Sequence, residues 1–314
     1  MTTTMFRASA PQAETISRLG PLGELPGTWV GSGFNLISLP DKHDNKPFRL
    51  KLNATKETLS FRMIGAPIPN RGSVQDDIEF LGVHYFQQVS DAKTNVALHL
   101  EPGLWLNTPI TTNPPQPKAG VARLGTIPHG DSVAAQGDFL AVKGGPKIDP
   151  VDSTPFTLDP ATGARKNETN EVYIAPFKNT QLPDGIPAGA IANPNLVLTN
   201  AISQQNIVNT IVLFVSANPV GGINGTPIAP PNQPNAGGGG IVNLPFVIAN
   251  ANAISFSAIF WIETVQNPDN TQFLQLQYTQ TVILDFIGIK WPHISVATLV
   301  KQYATRSRAS ENPD

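Results

Sequence analysis

A chain of 314 residues that is 40% hydrophobic but only 14% charged must draw its polarity from Asn, Gln, Thr and Ser, a mixture that suits strands and turns better than surface helices. Its formal net charge of −2 leaves no basic footprint for nucleic acid or an anionic membrane surface. With no cysteine there is no disulfide framework, no thiolate metal site and no cysteine nucleophile.

Residues 1–24 read as a polar arm without the apolar core of a signal peptide, and the longest purely apolar run, 211–215, is far too short to span a bilayer. A soluble, cytoplasmic protein is expected. Leu25 and the run Gly27-Thr-Trp-Val-Gly-Ser-Gly33 mark entry into the first strand. Apolar residues then fall on even positions at Phe48, Leu50 and Leu52 and on odd positions at Leu59, Phe61 and Met63, which predicts a half-buried hairpin with a turn between them. Segments 78–89 and 96–106 predict a second hairpin. In its second strand Leu98, Leu100, Leu104 and Leu106 share one face, and His99, Glu101 and Trp105 share the other.

After the proline-rich loop 109–117, residues 121–142 read as two strands around Pro128-His-Gly-Asp131. From about 144 to 250 the chain is dense in Pro, Gly, Asp and Asn and predicts an irregular insertion, with apolar order only at 196–198 and 207–215. Strands return at 254–265 and 273–286. The second alternates cleanly, with Leu274, Leu276, Tyr278, Val282, Leu284 and Phe286 on one face. Residues 296–303 fit a short C-terminal helix or a last strand equally well, and 304–314 form a polar tail.

With no repeat and no alternating βα units, the prediction is one all-β domain over 25–303, an antiparallel closed or nearly closed barrel with long irregular loops. A barrel is preferred to a sandwich because the long strands at the two ends of the chain could pair and remove exposed edges.

The common hydrolase motifs Gly-x-Ser-x-Gly, Ser-x-x-Lys and His-Glu-x-x-His are absent. The glycines of Gly31-Ser-Gly33 suit a bend or a close backbone approach rather than a phosphate cradle. Five histidines are the metal or proton-transfer candidates. His43 reads as solvated loop, His84 as a hydrogen-bonded core residue, and His129 as a structural or exposed turn residue. His99 fits either a solvent face or a functional interior. His293, after Trp291-Pro292, could project from a rigid support into a barrel mouth, where neutral imidazole suits haem iron.

Four segments together resemble the nitrobindin-like haem-binding β-barrels, which share the architecture of fatty-acid-binding proteins and lipocalins. They are Leu25-Pro-Gly-Thr-Trp-Val-Gly-Ser-Gly33, the pair Tyr85-Phe-Gln-Gln88 and Leu98-His-Leu-Glu-Pro-Gly103, Ile127-Pro-His-Gly130, and Pro292-His-Ile-Ser-Val-Ala-Thr-Leu299. The resemblance covers roughly 25–142 and 254–301. It implies haem b as cofactor, His293 as its axial ligand, and Thr28, Trp29, Gly31 and Gly33 as one wall of the pocket. His99 becomes a cofactor-side motif position and the candidate catalytic residue.

The expected function is therefore haem binding, with activity towards a small oxidant such as peroxide or peroxynitrite left open. The alternative is a metal-free carrier of a fatty acid or other apolar molecule, and a lectin-like sandwich is the third reading. The expected partner is an apolar or planar small molecule. Nucleic acid and a membrane span are not expected, and a homodimer is admitted.

Overall fold

The computed structural model describes residues 16–113, 115–217 and 239–302. Ten long strands form its frame: β1 (Gly27–Asp41), β2 (Lys46–Met63), β3 (Ile78–Asp91), β4 (Ala97–Thr108), β5 (Gly120–Ile127), β6 (Asp131–Lys143), β7 (Asn206–Ala217), β8 (Asn252–Gln266), β9 (Gln272–Phe286) and β10 (Ile289–Gln302). Each pairs antiparallel with the next, and β10 returns to pair with β1 from Thr28↔Gln302 to Leu36↔Ile294. The sheet is thus a closed up-and-down barrel, as expected. No helix among the described residues is long and apolar enough to cross a membrane.

Along the closing seam the backbones of β1 and β10 come especially close at two positions. A Cβ on Gly31 or Gly33 would collide with the carbonyl oxygens of Thr298 and Val296 on β10. These glycines permit a close backbone approach, the role expected of them.

One end of the barrel is filled. Leu19, Leu22 and Leu25, around a single 3-10 turn at Gly20–Leu22, are fully buried beneath Trp29, Phe61, Tyr85, Trp105 and Phe260. Residues 16–24, expected as part of a polar arm, therefore plug the barrel floor, and only every third residue had to be apolar to do so. The rest of the arm and the tail 304–314 lie outside the described residues.

The predicted insertion divides into parts with different roles. Asn206–Ala217, placed inside it, is the barrel strand β7. The short strand Gly239–Asn243 pairs with β6 above the end of β7, and the Asn243 side chain exchanges two hydrogen bonds with the Ala253 backbone of β8. Helix α3 (Pro245–Ala251) follows at the mouth. Residues 144–205, with helices α1 (Glu171–Asn179) and α2 (Leu196–Ile202), pack on the outside of the barrel. There Val151, Ala190 and Leu198 meet the outward-facing Phe34, Leu36, Trp261, Ile294 and Val296.

This second, external core explains one difference from the sequence reading and one choice that the reading left open. The change of apolar parity between Phe48–Leu52 and Leu59–Met63 is not a turn: β2 is one unbroken strand in continuous register with β1 over that stretch. Near its start the apolar residues face outwards under the external layer, and near its end they face the barrel floor. Of the two readings left open for the C-terminal segment the strand holds: 289–302 is a strand buried on both sides, Ile294 and Val296 outwards and Ala297 and Leu299 inwards. His84, expected in the core, is exposed on the outer face of β3.

Under the edge of the external layer, Glu263 of β8 is fully buried and accepts a hydrogen bond from Gln275 Nε2 at 2.6 Å, while its other oxygen has no partner. Burial pushes its carboxyl up to about 7, against the lowering effect of Gln275. The folded state therefore holds this proton more tightly than the unfolded chain. Its contribution is intact below the unfolded value of 4.5 and is lost as pH rises through about 7. Glu263→Gln should match the parent in urea unfolding at acid pH and exceed it by up to about 3 kcal/mol in mild alkali. Identical stability across that range would show that Glu263 is ionised in the fold without penalty.

Candidate functional site

Above the plugged floor the barrel encloses a cavity of about 610 Å³ that opens at the α3 end. Its side walls are largely apolar, with Ile37, Leu39, Val89, Val282 and Leu284 from the strands and Phe246 and Val247 from α3. Period-two alternation places these residues inside. The polar groups include Asn35, Glu57, Gln87, Tyr278, Gln280 and the three histidines His99, His129 and His293.

The floor is a buried ionic network on an aromatic base. Arg123 and Glu101 are 1% and 0% exposed, and Arg123 Nη2 donates to Glu101 Oε1 at 2.8 Å. The rest of the guanidinium donates to Tyr85 Oη (3.0 Å) and Gln280 Oε1 (2.8 Å), and its carbon lies 5.2 Å from the ring centre of Tyr85, 5.8 Å from that of Trp105 and 5.3 Å from that of Phe260. Tyr85 Oη also donates to Glu101, and His99 Nε2 lies 3.1 Å from Glu101 Oε2. Burial alone would raise the Glu101 carboxyl, but Arg123, His99 and Tyr85 hold it down at about 2. Space for the network comes from Gly103 and Gly125, paired across β4 and β5, where a Cβ would strike the Tyr85 ring and the Glu101 carboxylate respectively.

Beside it lies a second carboxyl without a cation. Glu57 accepts from Tyr278 Oη at 2.6 Å, from Thr55 Oγ1 at 2.9 Å and from Gln87 Nε2 at 3.4 Å. Burial raises its pKa against these three donors.

His293 projects into the cavity from β10, and its Nε2 lies 2.8 Å from Asn35 Nδ2. An amide NH₂ only donates, so this nitrogen is the acceptor and the ring proton is on Nδ1. Burial, then the nearby rings of His99 and His129, push its pKa down to about 3, and the imidazole is neutral at ordinary pH. His99 and His129 stand across the barrel with ring centroids 5.9 Å apart.

The residues singled out from sequence are thus partly brought together. His99 and His293 line one cavity, joined by His129, for which the sequence favours a structural or exposed role on a turn. Trp29 lies on the strand neighbouring His293 but is packed into the floor, donating its indole N–H to Leu25 O. Thr28, Trp29, Gly31 and Gly33 do not line the cavity; the β1 contribution comes further along, from Asn35, Ile37 and Leu39. His43 is exposed.

Sequence reading missed Glu57, Arg123 and Gln280 as site residues. A signal existed for each in retrospect, since a charged or amide residue on the inward parity of a strand whose other inward positions are apolar must be buried and paired.

No protein-family model and no curated protein matches the chain. Among solved structures it is similar to the crystal structure of Rv2717c from M. tuberculosis, at 14% identity and a TM-score of 0.41, over 94% of this chain and 100% of that one.

Removing Arg123 alone leaves Glu101 buried without its counter-ion. Arg123→Met should cost roughly 3–5 kcal/mol in urea unfolding, and combining it with Glu101→Gln should return much of that loss. Additive losses in the double variant would mean the two residues are not coupled.

Proposed function

We propose that the chain is a small-molecule-binding barrel, and that its ligand is haem b held by His293. The observation that carries this reading is a neutral imidazole set in the wall of a largely apolar cavity whose size falls within the roughly 300–1,000 Å³ of small-molecule sites.

The residues present fit such a group. His293 would hold the iron, which calls for an uncharged imidazole with a lone pair to give, and His293 Nε2 is an acceptor. Asn35 would have to release it, but Asn35 Nδ2 also donates to Ser295 Oγ at 2.8 Å and Oδ1 accepts from Asn53, so the amide keeps partners. When bound, haem supplies the redox and small-oxidant chemistry that no side chain here provides. The chain's own residues bind and enclose: apolar walls line most of the space, and the ring of His99, fixed by the hydrogen bond between its Nε2 and Glu101, faces the same cavity as His293. That placement is what supports His99 as the candidate catalytic residue for peroxide or peroxynitrite.

The second reading, a metal-free carrier of an apolar molecule, is favoured by one observation. His293 Nε2 already has a partner, and the floor presents amides and a hydroxyl that can receive the polar end of an organic ligand directly.

Titrating the purified chain with haem should produce a Soret band that His293→Ala shifts or abolishes. An unchanged band in the variant would remove His293 from the site. Native mass spectrometry that finds lipid and no haem in the protein as isolated would favour the carrier.

A further inference from the structure

The cavity floor offers hydrogen bonds but no charge that could neutralise an anion. Its cation, Arg123, is committed to Glu101, Tyr85 and Gln280 and does not line the cavity. Because a guanidinium only donates, Gln280 must turn its carbonyl to Arg123, which leaves its Nε2 for the cavity. Gln87 is fixed in the opposite sense. Its Nε2 donates to Tyr278 Oη (3.0 Å) and Glu57 (3.4 Å), which leaves its carbonyl oxygen.

Neither Gln280 Nε2 nor Gln87 Oε1 has a hydrogen-bond partner among the described residues, and both side chains line the cavity. Gln280 lies two residues beyond Tyr278 on the same face of β9, so the free donor and the free acceptor flank one phenol. Glu57, hydrogen-bonded to both Gln87 and Tyr278, is 4% exposed and has no cation in ion-pair reach among the described residues. The other charged or titratable groups lining the cavity are His99, His129, His293 and Asp131, together with the exposed Lys51 towards the mouth.

Resting on the reading of this cavity as the ligand site, we propose that the floor receives an uncharged end group that both donates and accepts hydrogen bonds, an alcohol or an amide, and excludes a carboxylate. A carboxylate there would meet Glu57 and the lone pair of Gln87, with only the Gln280 amide to receive it. An alcohol satisfies both glutamines at once, accepting from Gln280 and donating to Gln87. A ligand that carries carboxylates keeps them at the mouth, on the side of Lys51.

The test is competition of decanol and decanoate against a fluorescent apolar probe on the full chain, at about pH 8 where free imidazole is mostly uncharged. Decanol should displace the probe at least about tenfold more effectively than decanoate, and Glu57→Gln should shrink that gap to about threefold or less. Gln280→Met should weaken decanol while leaving displacement by decane unchanged, which separates loss of the donor from loss of the fold.

Decanoate binding as tightly as decanol to the parent chain would overturn this inference and leave the cavity reading standing. An undiminished gap in Glu57→Gln would overturn the assignment of selectivity to this floor. Failure of decane, decanol and decanoate alike to displace the probe would overturn both.

Discussion

The enclosed space in this protein exists because β1 pairs with β10. A sheet of this length with two free edges would expose two rows of unsatisfied backbone groups, and its inner face would have nothing to close on. Pairing the ends satisfies both edges at once and turns one face of every strand inwards. The close approach is possible at Gly31 and Gly33, where any side chain would meet the carbonyls of β10. It also sets Asn35 opposite Ser295 and brings its amide to His293, so the geometry of the candidate ligand-binding histidine follows from the seam.

Inside, the barrel divides into a dry base and a hollow upper half, and the boundary is the Arg123 network. Burying a charge pair costs several kcal/mol per ion unless every remaining hydrogen-bonding site is met. Here the aromatic rings beneath Arg123, the Tyr85 hydroxyl and the Gln280 carbonyl meet that demand. The network then presents to the cavity only what it does not consume itself.

Most of the strands, and the pairing of the two ends of the chain, were legible in the sequence because alternation survives wherever one face is dry; β7, flanked by irregular chain, is read as part of the insertion. The reading failed where both faces are dry. In β2 the external layer makes the outward positions Phe48, Leu50 and Leu52 apolar, so the parity change imitates a turn. In β10 burial on both sides erases period two, which is why helix and strand fit its sequence equally well. Neither can be known without knowing that residues 144–205 fold back over these strands. Of the site, His99 and His293 were legible because histidine is rare on apolar strands. The pairing of Arg123 with Glu101 joins strands that are neighbours only through the register of β4 and β5, and Glu57 meets Tyr278 across a closed barrel, contacts that no local spacing encodes.

The seam also governs when the molecule can become itself. Thr28 finds Gln302, and almost the whole chain lies between them. At a synthesis rate of roughly 5–20 residues per second, β1 waits on the order of tens of seconds before its partner leaves the ribosome. Through that interval the first strand has an open edge, and closing so long a loop is slow even once both partners are present. The glycine-bearing edge that makes the finished seam tight is, in the growing chain, an unguarded template for pairing with another molecule. A nascent barrel of this kind depends on its surroundings until its last strand arrives.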